Sequence, residues 1–149
     1  AAYFSIRAKA FSYEDMCLGK ERLDEKMSII KNTPKHEVKN ADLDLLREMK
    51  IADEMYARGY DFMPIDIYRA KAHRFQIIEG KLMPSIDSIE GLGDKAADAV
   101  VDAAVQGRFL SKDDFRDRTK VSKTVIDLMD KLGLFGDIPQ SNQISLFDF

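Results

Sequence analysis

The residues with the most chemistry to offer lie in two short stretches and a tail. In Ile86-Asp-Ser-Ile89-Glu-Gly91-Leu92-Gly93-Asp-Lys95-Ala96-Ala97, one apolar residue stands between two glycines. Such a loop can bury its leucine while the glycines take tight or positive-φ geometry. The backbone N–H groups after Gly91 and Gly93 then point outward at the start of a helix, where the macrodipole favours an anion, with Lys95 beside them. Ala96 and Ala97 let two helices approach closely. The plain alternative is a tight interhelical turn without a ligand. A dinucleotide site is a poorer fit, because no G-x-G-x-x-G follows a strand.

The second stretch, Phe115-Arg-Asp-Arg118-Thr-Lys120-Val121-Ser122-Lys123, repeats the frame and runs into Val125, Ile126 and Met129. Val121 takes the buried position. Both glycines are gone, replaced by Lys120 and Ser122, so cations stand where the backbone cradle was. Arg118, Lys120 and Lys123 are candidate phosphate contacts, against the alternative of a solvated basic turn. The third feature is Gln143-Ile144-Ser145-Leu146-Phe147, behind the helix-breaking Gly136-Asp-Ile-Pro-Gln-Ser-Asn142. Two large apolar side chains beyond the last helix are badly placed for a core and point to a partner elsewhere, unless the tail folds back on its own domain.

Catalysis finds little support. His36 and His73 lie far apart and neither sits in a metal-ligand spacing, so no metal site is expected. Asp113, Asp114 and Asp117 are interleaved with Arg116 and Arg118 and read as a solvated face with cap chemistry. Asp42 and Asp44 read as first-turn helix acids, and no set of carboxylates converges as a two-metal centre requires. Cys17 lacks an activating set. As the lone cysteine it excludes an internal disulfide and a cysteine-cluster zinc site, which makes a reducing cytoplasm the expected location.

The 149 residues allow one domain or two small ones, and 45% hydrophobic with 33% charged residues fits a globular chain. No apolar run approaches a membrane span, and no membrane partner is expected. The chain begins on Ala1 rather than Met and reads as a piece of something longer. Net charge is −3, but residues 84–106 hold one Lys against five acids, while 107–136 hold seven Lys and Arg against five. That excess is too weak for electrostatics alone to carry a nucleic-acid claim.

The elements that must hold these stretches are mostly helical. Ser12 with Asp15 predicts a capping-box start, and Met16, Leu23, Met27 and Ile30 continue at helical spacing with Gly19 a candidate interruption. Pro34 breaks the run. Asn40 is placed to cap a second helix carrying Leu45, Met49, Ala52 and Tyr56, with Gly59 just past its end. The period then changes, predicting a small antiparallel ribbon at about 62–83, with Glu79-Gly80-Lys81 as its turn. Helices follow at 94–106, from Ser111 to about Arg118, and from Ser122 to Leu132. The expected fold class is mainly α with a small antiparallel β element and a tandem helix–hairpin–helix unit, because the halves of 86–132 read as degenerate copies of one plan.

The first stretch resembles the helix–hairpin–helix motif, which grips a DNA phosphate without reading bases. The tail resembles the peptide with which bacterial replication proteins dock onto the sliding clamp. With Ala2-Tyr-Phe-Ser-Ile-Arg7-Ala, Ala57-Arg-Gly59-Tyr-Asp-Phe, Ile65-Asp-Ile-Tyr-Arg69, Ser88-Ile-Glu-Gly-Leu-Gly93, Gly107-Arg-Phe-Leu-Ser-Lys-Asp-Asp114 and Val121-Ser-Lys-Thr124 added, the whole chain is similar to the C-terminal end of PolC-type DNA polymerase III α subunits. Glu90 stands where that family often has proline, and Ile144 where leucine is common.

That resemblance implies a partition: 1–58 as the end of a fingers domain, 59–136 as a duplex-binding domain, and 137–149 as a clamp-binding tail. It implies backbone contacts to double-stranded DNA from Gly91, Gly93, Lys95, Arg118, Lys120, Ser122 and Lys123. It implies clamp docking by Gln143, Ile144, Ser145, Leu146 and Phe147. Partners would be the DNA duplex, the β sliding clamp and the remainder of the polymerase chain. Magnesium would belong to the parent polymerase, with no cofactor and no catalytic carboxylates in this segment. The rival reading is the helix–hairpin–helix module of a repair nuclease.

Overall fold

The computed structural model describes residues 1–8 and 11–141. Seven α-helices and one short hairpin make up the described chain: α1 (Ala2–Ile6), α2 (Tyr13–Met16), α3 (Lys20–Asn32), α4 (Asn40–Ala57), β1 (Gln76–Ile78), β2 (Lys81–Met83), α5 (Asp94–Gln106), α6 (Lys112–Thr119) and α7 (Lys123–Lys131). A 3₁₀ turn, Ile86–Ser88, precedes α5.

The first helical run is split where glycine permits it. Ser12 Oγ accepts from Asp15 N–H at 3.3 Å and starts α2, but Gly19 at φ 109° turns the chain before α3. Leu23, Met27 and Ile30 of α3 are buried, as their spacing predicts. In α4 the cap differs from expectation. The helix begins at Asn40 itself, and Asp42 Oδ2 accepts from Lys39 N–H at 3.2 Å, so an acid in the first turn satisfies the entering chain. Gly59, at φ 84°, closes the helix by donating to Tyr56 O at 3.0 Å.

The ribbon is shorter than 62–83. β1 and β2 pair antiparallel with Ile77 opposite Leu82, and Glu79 and Gly80, both at positive φ, make the two-residue turn that suits right-twisted strands. Residues 62–68 join it only through a bridge between Phe62 and Leu82. Pro64 lacks an N–H donor, and the segment instead buries both Ile65 and Ile67 in the core.

One continuous core runs beneath these elements. Phe4 and Phe11 from the first residues meet Phe62 and Phe75 from the ribbon region at ring-centroid distances of 5.0–5.8 Å. Polar ties follow the same route: Ser5 Oγ accepts from Phe75 N–H at 2.8 Å, and the Tyr56 hydroxyl donates to Met16 O at 2.6 Å. A second aromatic group, Phe109, Phe115 and Phe135, fills the space among α5, α6 and the turn after α7.

After α7 the chain doubles back. Lys112 and Asp113 N–H groups, in the first turn of α6, donate to Pro139 O at 2.9 Å and Gln140 O at 3.1 Å, and Gln140 Nε2 donates to Asp113 Oδ1 at 3.2 Å. The last described residues are therefore bound to the start of α6, which a helix-breaking stretch in sequence did not reveal.

Candidate nucleic-acid interface

The two glycine-like loops have matching backbones. Gly91 has φ 80° and Lys120 has φ 58°, both left-handed. Leu92 and Val121, one residue on, are both buried. Gly93 (φ −75°, ψ 168°) and Ser122 (φ −65°, ψ 152°) are then the extended N-caps of α5 and α7. Lys120 thus holds a conformation that favours glycine, at a cost of about 1–2 kcal/mol. The hairpin geometry survives the loss of both glycines because buried Thr119 braces it: Thr119 Oγ1 donates to Phe115 O at 2.7 Å and accepts from Val121 N–H at 3.3 Å. Thr119 was missed from sequence, although a hydroxyl directly before a left-handed residue is a usable signal.

The loops are also neighbours. A Cβ built on Gly91 would lie 3.3 Å from Val125 Cγ2 of α7, so the first hairpin rests on the helix that follows the second. Gly91→Ala is therefore expected to destabilise the protein by about 1–3 kcal/mol in denaturant unfolding, from left-handed strain plus the Val125 contact. Gly93→Ala, with open space and an ordinary φ, is the comparison: it lacks both of these penalties and should lose only the smaller cost of a poorer N-cap, about 0.5–1 kcal/mol. Equal losses at the two glycines would mean that neither feature matters.

The loops differ in what they offer an anion. Gly93 has no side chain to cap α5, whereas Ser122 Oγ accepts from Val125 N–H at 3.4 Å and occupies part of the first turn of α7. Charge runs the other way. Around the first loop Glu90, Asp94 and Asp98 are exposed beside Lys95. Around the second, Lys120 and Lys123 are exposed, and neither side chain has an ion pair among the described residues. The first loop leaves α5 without a side-chain cap at Gly93, and the second loop supplies cations. The N–H after Gly91, that of Leu92, is turned inward to Ile89 O at 3.1 Å rather than outward as expected.

Arg118 is not with them. Its guanidinium points back along α6, donating to Gly107 O at 3.0 Å, Arg108 O at 3.1 Å, Asp114 Oδ2 at 3.4 Å and also Ala103 O, above the Phe109 ring. Proximity to Lys120 in sequence suggested a phosphate contact, whereas packing turns the side chain inward.

Beside the first loop lies an open cleft of about 870 Å³, lined by Ser12, Lys26, Asp44, Ile89 and Glu90 among others. Its acidic lining, which includes Asp15 and Asp87, is a poor host for a polyanion. His73 sits nearby between two carboxylates, with Nδ1 2.9 Å from Asp87 Oδ2 and Nε2 2.8 Å from Asp98 Oδ1. The hydrogen bond to Asp87, seconded by Asp98, holds the imidazole above its ordinary pKa. Among the described residues the donors close enough to hold a metal are those of His73, Asp87 and Asp94, within 4.8 Å of one another. Asp87 and Asp98 pair His73 on both ring nitrogens. Burial pushes the Cys17 thiol well above its usual range, which disfavours the thiolate.

Gln143, Ile144, Ser145, Leu146 and Phe147 lie outside the described residues. Among the described residues no helix is long and apolar enough to cross a membrane.

Comparison with known proteins fits this geometry. Residues 59–144 match the family described as "Helix-hairpin-helix motif". The chain is also similar to proteins named "DNA polymerase III PolC-type". It is 40% identical over 148 residues to that of Streptococcus pneumoniae serotype 2 (strain D39 / NCTC 7466), covering 99% of this chain and 10% of the relative. To that of Streptococcus suis (strain 98HAH33) it is 42% identical over 148 residues, with the same coverage. To that of Clostridium perfringens (strain 13 / Type A) it is 39% identical over 145 residues, covering 97% of this chain and 10% of the relative. The chain spans about a tenth of the length of these curated relatives.

Proposed function

We propose, from the premise that the chain belongs to the helix–hairpin–helix motif family, that it grips the backbone of double-stranded DNA without reading sequence. The observation that carries this is the repeated loop: left-handed residue, buried apolar residue, extended N-cap, twice, in two adjacent loops. Backbone donors at Gly91 and Gly93 and cations at Lys120 and Lys123 suit phosphate oxygens, which carry position and not base identity. Two such loops can meet the two backbones across a minor groove. Lys95 and Ser122 flank the same contacts. Against them stand Glu90 and Asp94, so the second loop provides most of the attraction.

The names of the relatives support a further step: the segment belongs to a replicative DNA polymerase and contributes processivity to it. Its partition into residues 1–58, 59–136 and 137–149 as fingers end, duplex-binding domain and clamp-binding tail belongs to this same proposal. Polymerisation, with its magnesium, falls to the remainder of the parent chain. The tail would dock on the ring-shaped β clamp through Gln143, Leu146 and Phe147, with Ile144 and Ser145 as spacers. A cytoplasmic location follows from that role. Residues 139–140 are bound at the N-terminal end of α6, while the Lys120 loop lies at its C-terminal end. At 1.5 Å per residue, the eight residues of α6 set the tail root about 12 Å along the helix axis from the Lys120 loop.

Replacing Lys120 and Lys123 together by Ala should weaken duplex binding for every sequence tested and lower the slope of log affinity against log salt by about 2. Fluorescence anisotropy over a range of salt measures both. A loss confined to particular sequences, or an unchanged slope, removes the backbone grip.

A further inference from the structure

We infer that Arg118 is a positioning residue for the paired loops: it fastens the C-terminal end of α5 to α6 and thereby holds the two phosphate-facing loops at one spacing. This rests on the duplex-binding reading above. An α-helix leaves its last carbonyls without intrahelical donors. At the end of α5 a residue from another helix reaches them, since Arg118 donates to Ala103 O and to Gly107 O, and then to Arg108 O just beyond. A cation here also complements the negative end of the helix dipole.

The guanidinium is itself held. Asp114 Oδ2, one turn earlier on α6, accepts from Arg118 Nη1 at 3.4 Å and from Leu110 N–H at 3.0 Å. The Phe109 ring lies 4.6 Å below the guanidinium carbon. One side chain therefore links the end of α5, the connection 107–110 and both ends of α6. The first phosphate-facing loop opens α5 and the second closes α6. Rotation between these helices would change the distance between the loops directly. Two weak grips multiply only when both can reach the same rigid duplex at once. The planar fork is needed because three carbonyls and a carboxylate are met together, which the point charge of lysine cannot reproduce.

The test is equilibrium binding of the full chain to a duplex long enough for both loops, at several salt concentrations. The variants are Arg118→Lys and Arg118→Met, each alone and with Lys120→Ala plus Lys123→Ala, and circular dichroism establishes which are folded. A positioning role predicts that Arg118→Lys loses roughly tenfold in affinity despite keeping its charge, close to the loss in Arg118→Met. It also predicts that removing Lys120 and Lys123 costs several-fold less in either background, because the loops no longer act together. Binding of Arg118→Lys within twofold of wild type overturns the inference. So does an undiminished effect of removing the two lysines, with about one unit of salt slope lost in Arg118→Met, the signature of a direct phosphate contact. If Arg118→Met does not fold, Asp114→Asn, which withdraws the supporting carboxylate, should give a weaker form of the same non-additivity, and full additivity there also overturns it. A wild-type chain that binds no duplex sinks the duplex reading itself. A wild type that binds, with an Arg118→Lys variant equal to it, sinks only the positioning role.

Discussion

Phe115→Ala is expected to destabilise the protein by about 3–5 kcal/mol, a large share of the 5–15 kcal/mol that typically holds a domain folded. Phe115 is fully buried, and its ring meets Phe109 edge-on at 4.8 Å and Phe135 at 5.0 Å. It stands on α6 between the end of α5 and the turn after α7, so its removal leaves a cavity shared by three elements. The collapse that could shrink that cavity is opposed by Arg118, which pins Phe109, and by Thr119, whose hydroxyl is bonded to Phe115 O. Urea unfolding should show the loss, with Phe115→Leu losing less because it retains most of the volume. Duplex affinity should fall with it, since α6 ends in the second loop and packs on α5, which the first loop opens. A loss under about 1 kcal/mol would mean that the aromatic group is not the keystone of this half.

Removing residues 143–149 is expected to lower affinity for a ring-shaped sliding clamp by at least a hundredfold while leaving duplex affinity within about twofold. Burying a large apolar side chain contributes roughly 1.5–3 kcal/mol, and Leu146 and Phe147 together account for a factor of 10² or more. A short extended peptide concentrates its binding in such anchors, because few residues have to be ordered. The duplex result follows from the bond pattern at 139–140, where the segment is attached at the end of α6 remote from the Lys120 loop. Surface plasmon resonance on immobilised clamp and on immobilised duplex separates the two activities. Clamp binding that survives truncation sinks the tail assignment. Duplex binding that collapses with it would show that grip and tether are one surface.

Local features were legible in the sequence because their physics is local. Ser111 and Ser122 accept from the N–H three residues on, as their positions predict, and Gly59 and Gly107 stop their helices at positive φ. A hydroxyl, a glycine and a missing Cβ act within one turn. The ribbon was legible at Glu79-Gly80, where two positive-φ residues force a turn, and misjudged at 62–68. There the alternation of Ile65 and Ile67 reflects burial in the core rather than strand pairing. The cap of α4 was misassigned for a related reason: Asn40, Asp42 and Asp44 all suit a first turn, and only the path of the entering chain selects Asp42.

The sequence by itself determined the helical character, the helix stops at Gly59 and Gly107, and the doubled loop with its buried Leu92 and Val121. All of these follow from side-chain type and spacing over a few residues. Only the tertiary structure decided which charges face outward. Lys120 and Lys123 remain exposed while Arg118, two residues before Lys120, is turned into the carbonyls of α5. The same holds for His73, joined to Asp87 and Asp98 from 14 and 25 residues away. A long cationic side chain takes the strongest acceptors within reach, and those acceptors are the unpaired ends of helices brought near by packing. Spacing along the chain carries no record of them.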